Sequence, residues 1–136
     1  MRFLLDTNIV SEARRRKQNP GFAAWWKEVP ATRLYVSALT IGEIERGIEK
    51  LRGRGQGARV ATLSEWVAGF SKQFADRILD VDVQVAAEWG RQNTGRKTPT
   101  VDGLIAATAR VHDLTLVTRN LLDMEGTGAR LHNPFT

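Results

Sequence analysis

Cysteine is absent from the 136 residues, and only two histidines, one tyrosine and four prolines occur. The first absence excludes a disulfide framework and every Cys-based zinc site, and agrees with a reducing compartment. His112 and His132 have no ligand spacing between them, so a histidine metal site is not expected. No apolar run is long enough to span a bilayer, and no basic-then-apolar leader precedes the first structured segment. The expectation is a soluble, cytoplasmic protein with no membrane partner. A Gly-rich phosphate loop is missing, which sets aside nucleoside triphosphate hydrolysis. Internal repeats, low-complexity tracts and linkers are missing too. Residues 1–136 therefore read as a single domain, large enough for a real core.

What is present is an excess of positive charge. Lys and Arg number 20 against 15 Asp and Glu, a net charge of +5 with a pI near 10.2. That balance suits a polyanionic partner such as nucleic acid. The densest basic run is Arg14-Arg15-Arg16-Lys17, and basic loops are expected at residues 52–57 and at Gly95-Arg96-Lys97.

Short apolar runs at Arg2–Leu5, Leu34–Val36, Ile78–Val81 and Leu114–Val117 predict strands, and Arg130–His132 predicts an edge strand. Between them lie helical patterns over Ile9–Lys17, Phe22–Val29, Thr40–Leu51, Val60–Phe74 and Val83–Asn93. A further helix is expected after Pro99, capped by Thr100, with Val101, Leu104, Ile105, Thr108 and Val111 as its buried seam and Ala106, Ala107 and Ala109 keeping it slim enough to lie close against a neighbour. Strands alternating with helices indicate an α/β domain, with a mostly parallel sheet covered on both faces. The aromatic residues of Phe22–Val29 and Val60–Phe74 exceed what a small core obviously needs. Part of those helices is therefore expected to meet a partner or a second copy, as a homodimer.

Four acids fall where such a sheet does its chemistry, beyond the carboxyl ends of its strands. Asp6 closes the first strand, and Glu43 lies in the first turn of the helix opened by Thr40. Asp102 starts the helix after Pro99, and Asp123 follows the polar exit Thr118-Arg119-Asn120. Each has an ordinary use. Asp6 can cap a helix, Thr40 and Glu43 can form a capping box with Glu43 solvated, and Asp123 can be a turn acid. Asp102 favours its helix dipole by about 0.3–1 kcal/mol. Converging carboxylates repel, however, and a hard divalent cation gives a reason to gather four. Mg²⁺ or Mn²⁺ held there could bind a phosphodiester and activate water.

These pieces, in this order, resemble the PIN-domain ribonucleases of the VapC toxin type, FitB-like branch. The matching stretches are Leu4-Leu5-Asp6-Thr7-Asn8, Ser37 to Glu43, Asp102 to Ala109, Leu116 to Asn120, and Asn133-Pro134-Phe135. The resemblance implies a three-layer α/β/α fold and Mg²⁺- or Mn²⁺-dependent endonucleolytic hydrolysis of RNA. It also implies a small DNA-binding antitoxin as partner. Family roles as metal ligands or water activators carry over to Asp6, Glu43 and Asp102. Some relatives place the fourth acid at the position of Asn120 and others at that of Asp123. The charge is assigned to Asp123, leaving Asn120 to hydrogen-bond water, ligand or phosphate and Thr118 to orient the cluster. Arg14, Arg15, Arg16 and Lys17 become candidate RNA contacts near the active edge. The alternatives are an RNA-binding module without catalysis and a housekeeping nuclease of the same family. A phosphoacceptor receiver would need an acidic pair after the first strand, and an aspartyl phosphatase a second aspartate where Asn8 stands.

Overall fold

Leu4 and Leu5 are both fully buried, yet they belong to different apolar clusters. Successive strand residues point to opposite faces, so this one pair shows a sheet covered on both sides. The computed structural model describes residues 1–92 and 97–136. The strands are β1 (Phe3–Leu5), β2 (Leu34–Ser37), β3 (Ile78–Leu79), β4 (Thr115–Val117) and β5 (Leu131–His132). They pair in the order β3-β2-β1-β4-β5, every neighbour parallel.

On the Leu5 face pack α1 (Thr7–Arg14), α2 (Pro20–Glu28), α3 (Ala38–Gly53) and α4 (Gly57–Gln73), through Ile9, Phe22, Ile48 and Phe70 among others. On the Leu4 face, α6 (Thr100–Val111) and the short α7 (Leu121–Met124) bury Ile105, Ala106, Ala109 and Met124. Against α6 lies α5 (Val83–Arg91). A Cβ at Gly103 would come within 3.1 Å of the Trp89 ring, so a glycine is what lets these two helices approach. The result is the expected three-layer α/β/α arrangement. From β1 the chain builds outward to β2 and β3, then crosses to β4 and β5. The topological switch point thus lies between β1 and β4.

Several local expectations are corrected. Helix α1 ends at Arg14, where Arg15 turns extended, rather than continuing to Lys17. Helix α3 starts at Ala38, because the Ser37 side chain accepts from the Leu39 N–H. Thr40 is therefore inside the helix and fully buried, and the capping box is not formed. The basic loop at 52–57 contracts to residues 54–56, since α3 runs through Gly53 and α4 begins at Gly57. Strand β3 stops at Leu79, two residues short of the expected Val81. Thr100 is the first helical residue of α6, with Pro99 at the cap position. The α6 seam holds in part: Ile105 and Thr108 are fully buried, whereas Val101, Leu104 and Val111 are only half-buried, and Ala106, Ala107 and Ala109 are buried as the slim contact expected of them. With the sheet on one side and α5 on the other, small residues fill both contacts. Asn93, Gly95 and Arg96 lie outside the described residues.

The aromatic surplus is largely absorbed by the core. Phe22 stacks on Trp26 at 5.5 Å, Phe3 meets Trp25 edge-on at 5.4 Å, and Phe70 stacks on Phe74 at 4.3 Å. His132 packs against Phe3 and Trp25, an apolar use rather than a ligand's. No helix among the described residues is long and apolar enough to cross a membrane.

Candidate active site

The switch point is closed by hydrogen bonds between the ends of β1 and β4. The Asp6 N–H donates to the Val117 carbonyl (2.9 Å), and Asp6 caps α1 by accepting from the Thr7 N–H on Oδ1 (2.8 Å). Its Oδ2 accepts from Thr118 Oγ1 (2.8 Å) and from Asn8 Nδ2 (3.3 Å). Thr118 in turn accepts from the Asn120 N–H (2.9 Å), so its hydroxyl relays between the two strand exits. Asp6 is 3% exposed. Burial pushes its carboxyl above the ordinary value, against the lowering effect of its hydrogen bonds, and Glu43 adds repulsion.

Glu43 reaches the same edge from the second turn of α3, not the first, because that helix begins earlier than its sequence suggests. It is half-buried rather than solvated. Thr7 Oγ1 donates to Glu43 Oε1 at 2.5 Å and lies 3.1 Å from Thr40 Oγ1. Asp123 sits in α7, where Asn120 Nδ2 donates to its Oδ2 at 2.9 Å. The two candidates for the fourth position are thus partners, the amide orienting the carboxylate.

Asp102 differs from the other three. Half-buried in the first turn of α6, its carboxylate accepts no hydrogen bond among the described residues. Burial raises its pKa to about 6, and repulsion from Asp6, Glu43 and Asp123 adds to the rise. The fields of the other three acids therefore meet at Asp102. Their side chains do not, as they stand, close a ligand set: among the described residues no three acidic or histidine groups could hold one metal ion together. The donor chemistry still fits a hard cation. It consists of carboxylate oxygens with uncompensated charge, and Mg²⁺ commonly keeps several waters and uses one or two carboxylates.

The basic block is exposed, with only Arg14 inside a helix. Arg15 and Lys17 line a pocket of about 330 Å³ together with Arg119 and Phe135. Arg119 follows β4 after Thr118. Its N–H donates to Asn8 Oδ1 (3.3 Å), and its guanidinium lies 4.4 Å over the Phe135 ring. Thr7, Asn8 and Arg119 carry no site role in the sequence reading, and Thr40 stands there only as a capping-box residue. The available signal was the polar triplet Asp6-Thr7-Asn8 at a strand exit, where each residue holds a different neighbour.

With this geometry in view, relationships to known proteins become interpretable. Residues 3–121 match the PIN domain model. The toxin FitB of Neisseria gonorrhoeae is 32% identical over 97% of both chains. The VapC ribonuclease Y4jK of Sinorhizobium fredii is 27% identical over 97% of this chain and 96% of its own. Among solved structures, a chain of FitAB bound to the IR36 DNA fragment superposes with a TM-score of 0.82 at 30% identity. It covers 98% of this chain and 96% of that one. An all-parallel sheet in the order β3-β2-β1-β4-β5, acids around its switch point and a match over nearly the whole chain lead to one conclusion: the protein belongs to the PIN-domain family.

Proposed function

We propose that this protein is the toxin of a type II toxin–antitoxin pair, an endoribonuclease that hydrolyses RNA phosphodiesters with Mg²⁺ or Mn²⁺. What carries this reading is the placement of Asp6, Glu43, Asp102 and Asp123 at the sheet's switch-point edge, where Asp102 accepts no hydrogen bond among the described residues and feels repulsion from the other three. Its similarity to a FitB toxin and a VapC ribonuclease supports the same reaction class. Asp6, Glu43, Asp102 and Asp123 would hold the cation. Bound there, it would supply Lewis acidity toward the phosphate and a more acidic water.

The chain's own residues have separable tasks. Thr118 and Asn8 fix the Asp6 carboxylate, Thr7 fixes Glu43, and Asn120 fixes Asp123. Asp102, without such a tether among the described residues, is left to orient toward water or an ion. Lys17 and Arg119, with Arg15 ion-paired to Glu12 (3.3 Å) in the same pocket, offer positive charge to the backbone of a polyanion. An antitoxin segment fits the groove of about 480 Å³ between α4 and the α1–α2 pair. Trp26 and Trp66, both half-buried, give that groove its aromatic surface, over a floor of buried Phe70 and Phe74.

The deciding experiment uses purified protein and labelled RNA. Cleavage should require Mg²⁺ or Mn²⁺, stop with EDTA, and disappear in Asp102→Asn with an unchanged circular dichroism spectrum. Undiminished cleavage by that variant would sink the site assignment. RNA binding without any cleavage by wild type would favour a binding module.

A further inference from the structure

Beside the acids, on the β2–β3 side, lies a pocket of about 340 Å³ that no role above uses. Leu39, Val81 and Val101 give it apolar walls, and Glu43 and Arg46 give it a polar end. Three elements meet there. Leu39 comes from the first turn of α3, Val81 from the segment that leaves the sheet where β3 stops, and Val101 from the start of α6 next to Asp102. Gly42 lines it as well. A glycine inside a helix is unfavourable relative to alanine, yet a Cβ at Gly42 would meet nothing within 4 Å. Helix packing therefore does not account for this glycine; it keeps space open. Arg46, one turn further along α3, is exposed and makes no hydrogen bond or ion pair among the described residues.

We propose that this pocket receives one unpaired nucleobase of the RNA, adjoining the phosphate held at the acids. The inference rests on the ribonuclease reading and adds a specificity site to it. Aliphatic walls suit the two faces of a base, and an unpartnered guanidinium suits the acceptors on its edge. Single-stranded RNA is read in this way, by unstacked bases turned into pockets. The volume lies at the small end of ligand sites, enough for a ring system and too little for a helix. Because Glu43 belongs both to the pocket and to the acid cluster, a permanent protein cover would close the site that cleavage needs open. The fold supplies the strand's path. This pocket lies at the exits of β2 and β3, the Arg15–Lys17–Arg119 pocket at the exit of β4, and Asp6 at the end of β1 between them.

Gly42→Leu is the test, since it fills the pocket from a helical position with free space and keeps all four acids. Val81→Ser, at an exposed position after β3, opens one wall instead. Cut ends are mapped on RNA of randomised sequence with Mn²⁺. A 2-aminopurine RNA is also titrated into each variant in an Asp102→Asn background. Wild type should favour one base at a fixed position within two nucleotides of the cut. Gly42→Leu should lose that preference, cut the favoured sequence at least tenfold more slowly, and leave the fluorescent base bright where the parent quenches it. Val81→Ser should weaken both effects. Unchanged preference and quenching in both variants overturn the proposal, as does a wild type without base preference. A shift in sedimentation of Gly42→Leu with preference unchanged also overturns it, and assigns the pocket to a second copy of the chain. Wild type that cleaves no RNA removes the ribonuclease reading itself, a result separable from the others.

Discussion

Neutralising Asp102 should stabilise the metal-free protein. Its carboxyl titrates at about 6 in the fold against an ordinary value of 3.8. Taken at face value, that difference is roughly 3 kcal/mol of preference for the protonated form. Asp102 is only half-buried, so solvent screening cuts the figure to about 1–2 kcal/mol. The helix-start contribution of an acid, about 0.3–1 kcal/mol, opposes the gain from removing it. A net gain of about 1 kcal/mol remains, equivalent to a rise in Tm of about 3–6 °C for a chain of this size.

The sign follows from proton binding. A carboxyl whose folded pKa is raised holds its proton longer in the fold than in the unfolded chain. Its penalty is absent below about 3.8, grows between 3.8 and about 6, and is complete above that. The raised Asp6 carboxyl has the same sign. Asp102→Asn should therefore melt higher than wild type at pH 7.5, and the two should converge near pH 3.5. Mn²⁺ at a hundredfold excess over its Kd should add about 2.7 kcal/mol to wild type and distinctly less to the variant. Calorimetry of both proteins at the two pH values, with EDTA or Mn²⁺, reads all of this. A variant that melts lower than wild type in EDTA at pH 7.5 would mean that Asp102 supports α6 as a helix-start acid, and the argument from burial and repulsion would fail.

Thr7→Val removes the hydroxyl that holds Glu43 and should lower cleavage about 10–100-fold, while Thr7→Ser keeps most of it; initial rates at saturating Mn²⁺ distinguish them. Replacing Arg15 and Lys17 by Gln should reduce the slope of log K against log salt for single-stranded RNA by about 1.4, measured by anisotropy. An unchanged slope would leave those residues as a solubilising surface. Trp66→Ala should weaken antitoxin binding by about 2 kcal/mol in calorimetric titration if the α4 groove is the docking site.

The layered fold was legible because it rests on periodicity and alternation. Short apolar runs separated by amphipathic helices admit few arrangements besides a parallel sheet covered on both faces. What misled was local chemistry read without its neighbours. Thr40 and Glu43 have the spacing of a capping box, yet Ser37 three residues earlier captures the helix start first. Thr40 then turns inward, and Glu43 moves a turn away from the cap into reach of Thr7. The seam of α6 was only partly right, with Ile105 and Thr108 buried but Val101, Leu104 and Val111 half-exposed, for a different reason. Periodicity finds one buried stripe, whereas α6 is covered on two sides, and alanines and Gly103 carry the second contact.

The four acids were visible as positions, but their inequality was not. Whether a carboxylate is tied depends on which donors the fold brings to it. Asp6 is followed immediately by Thr7 and Asn8, and β4 delivers Thr118 beside it; Asp123 has Asn120 one helical turn behind. Asp102 is flanked by Val101 and Gly103, neither with a side-chain donor, and α6 faces it toward three like charges. A carboxylate in that position gains little from the protein itself and most from whatever positive charge arrives. If the acids form the cation site, Asp102 should therefore change its environment most when the ion binds. Selective carboxyl ¹³C labelling would read that directly: the Asp102 resonance should move further on Mg²⁺ addition than that of Asp6 or Asp123. A larger shift at Asp6 would transfer the central role to the buried acid at the switch point.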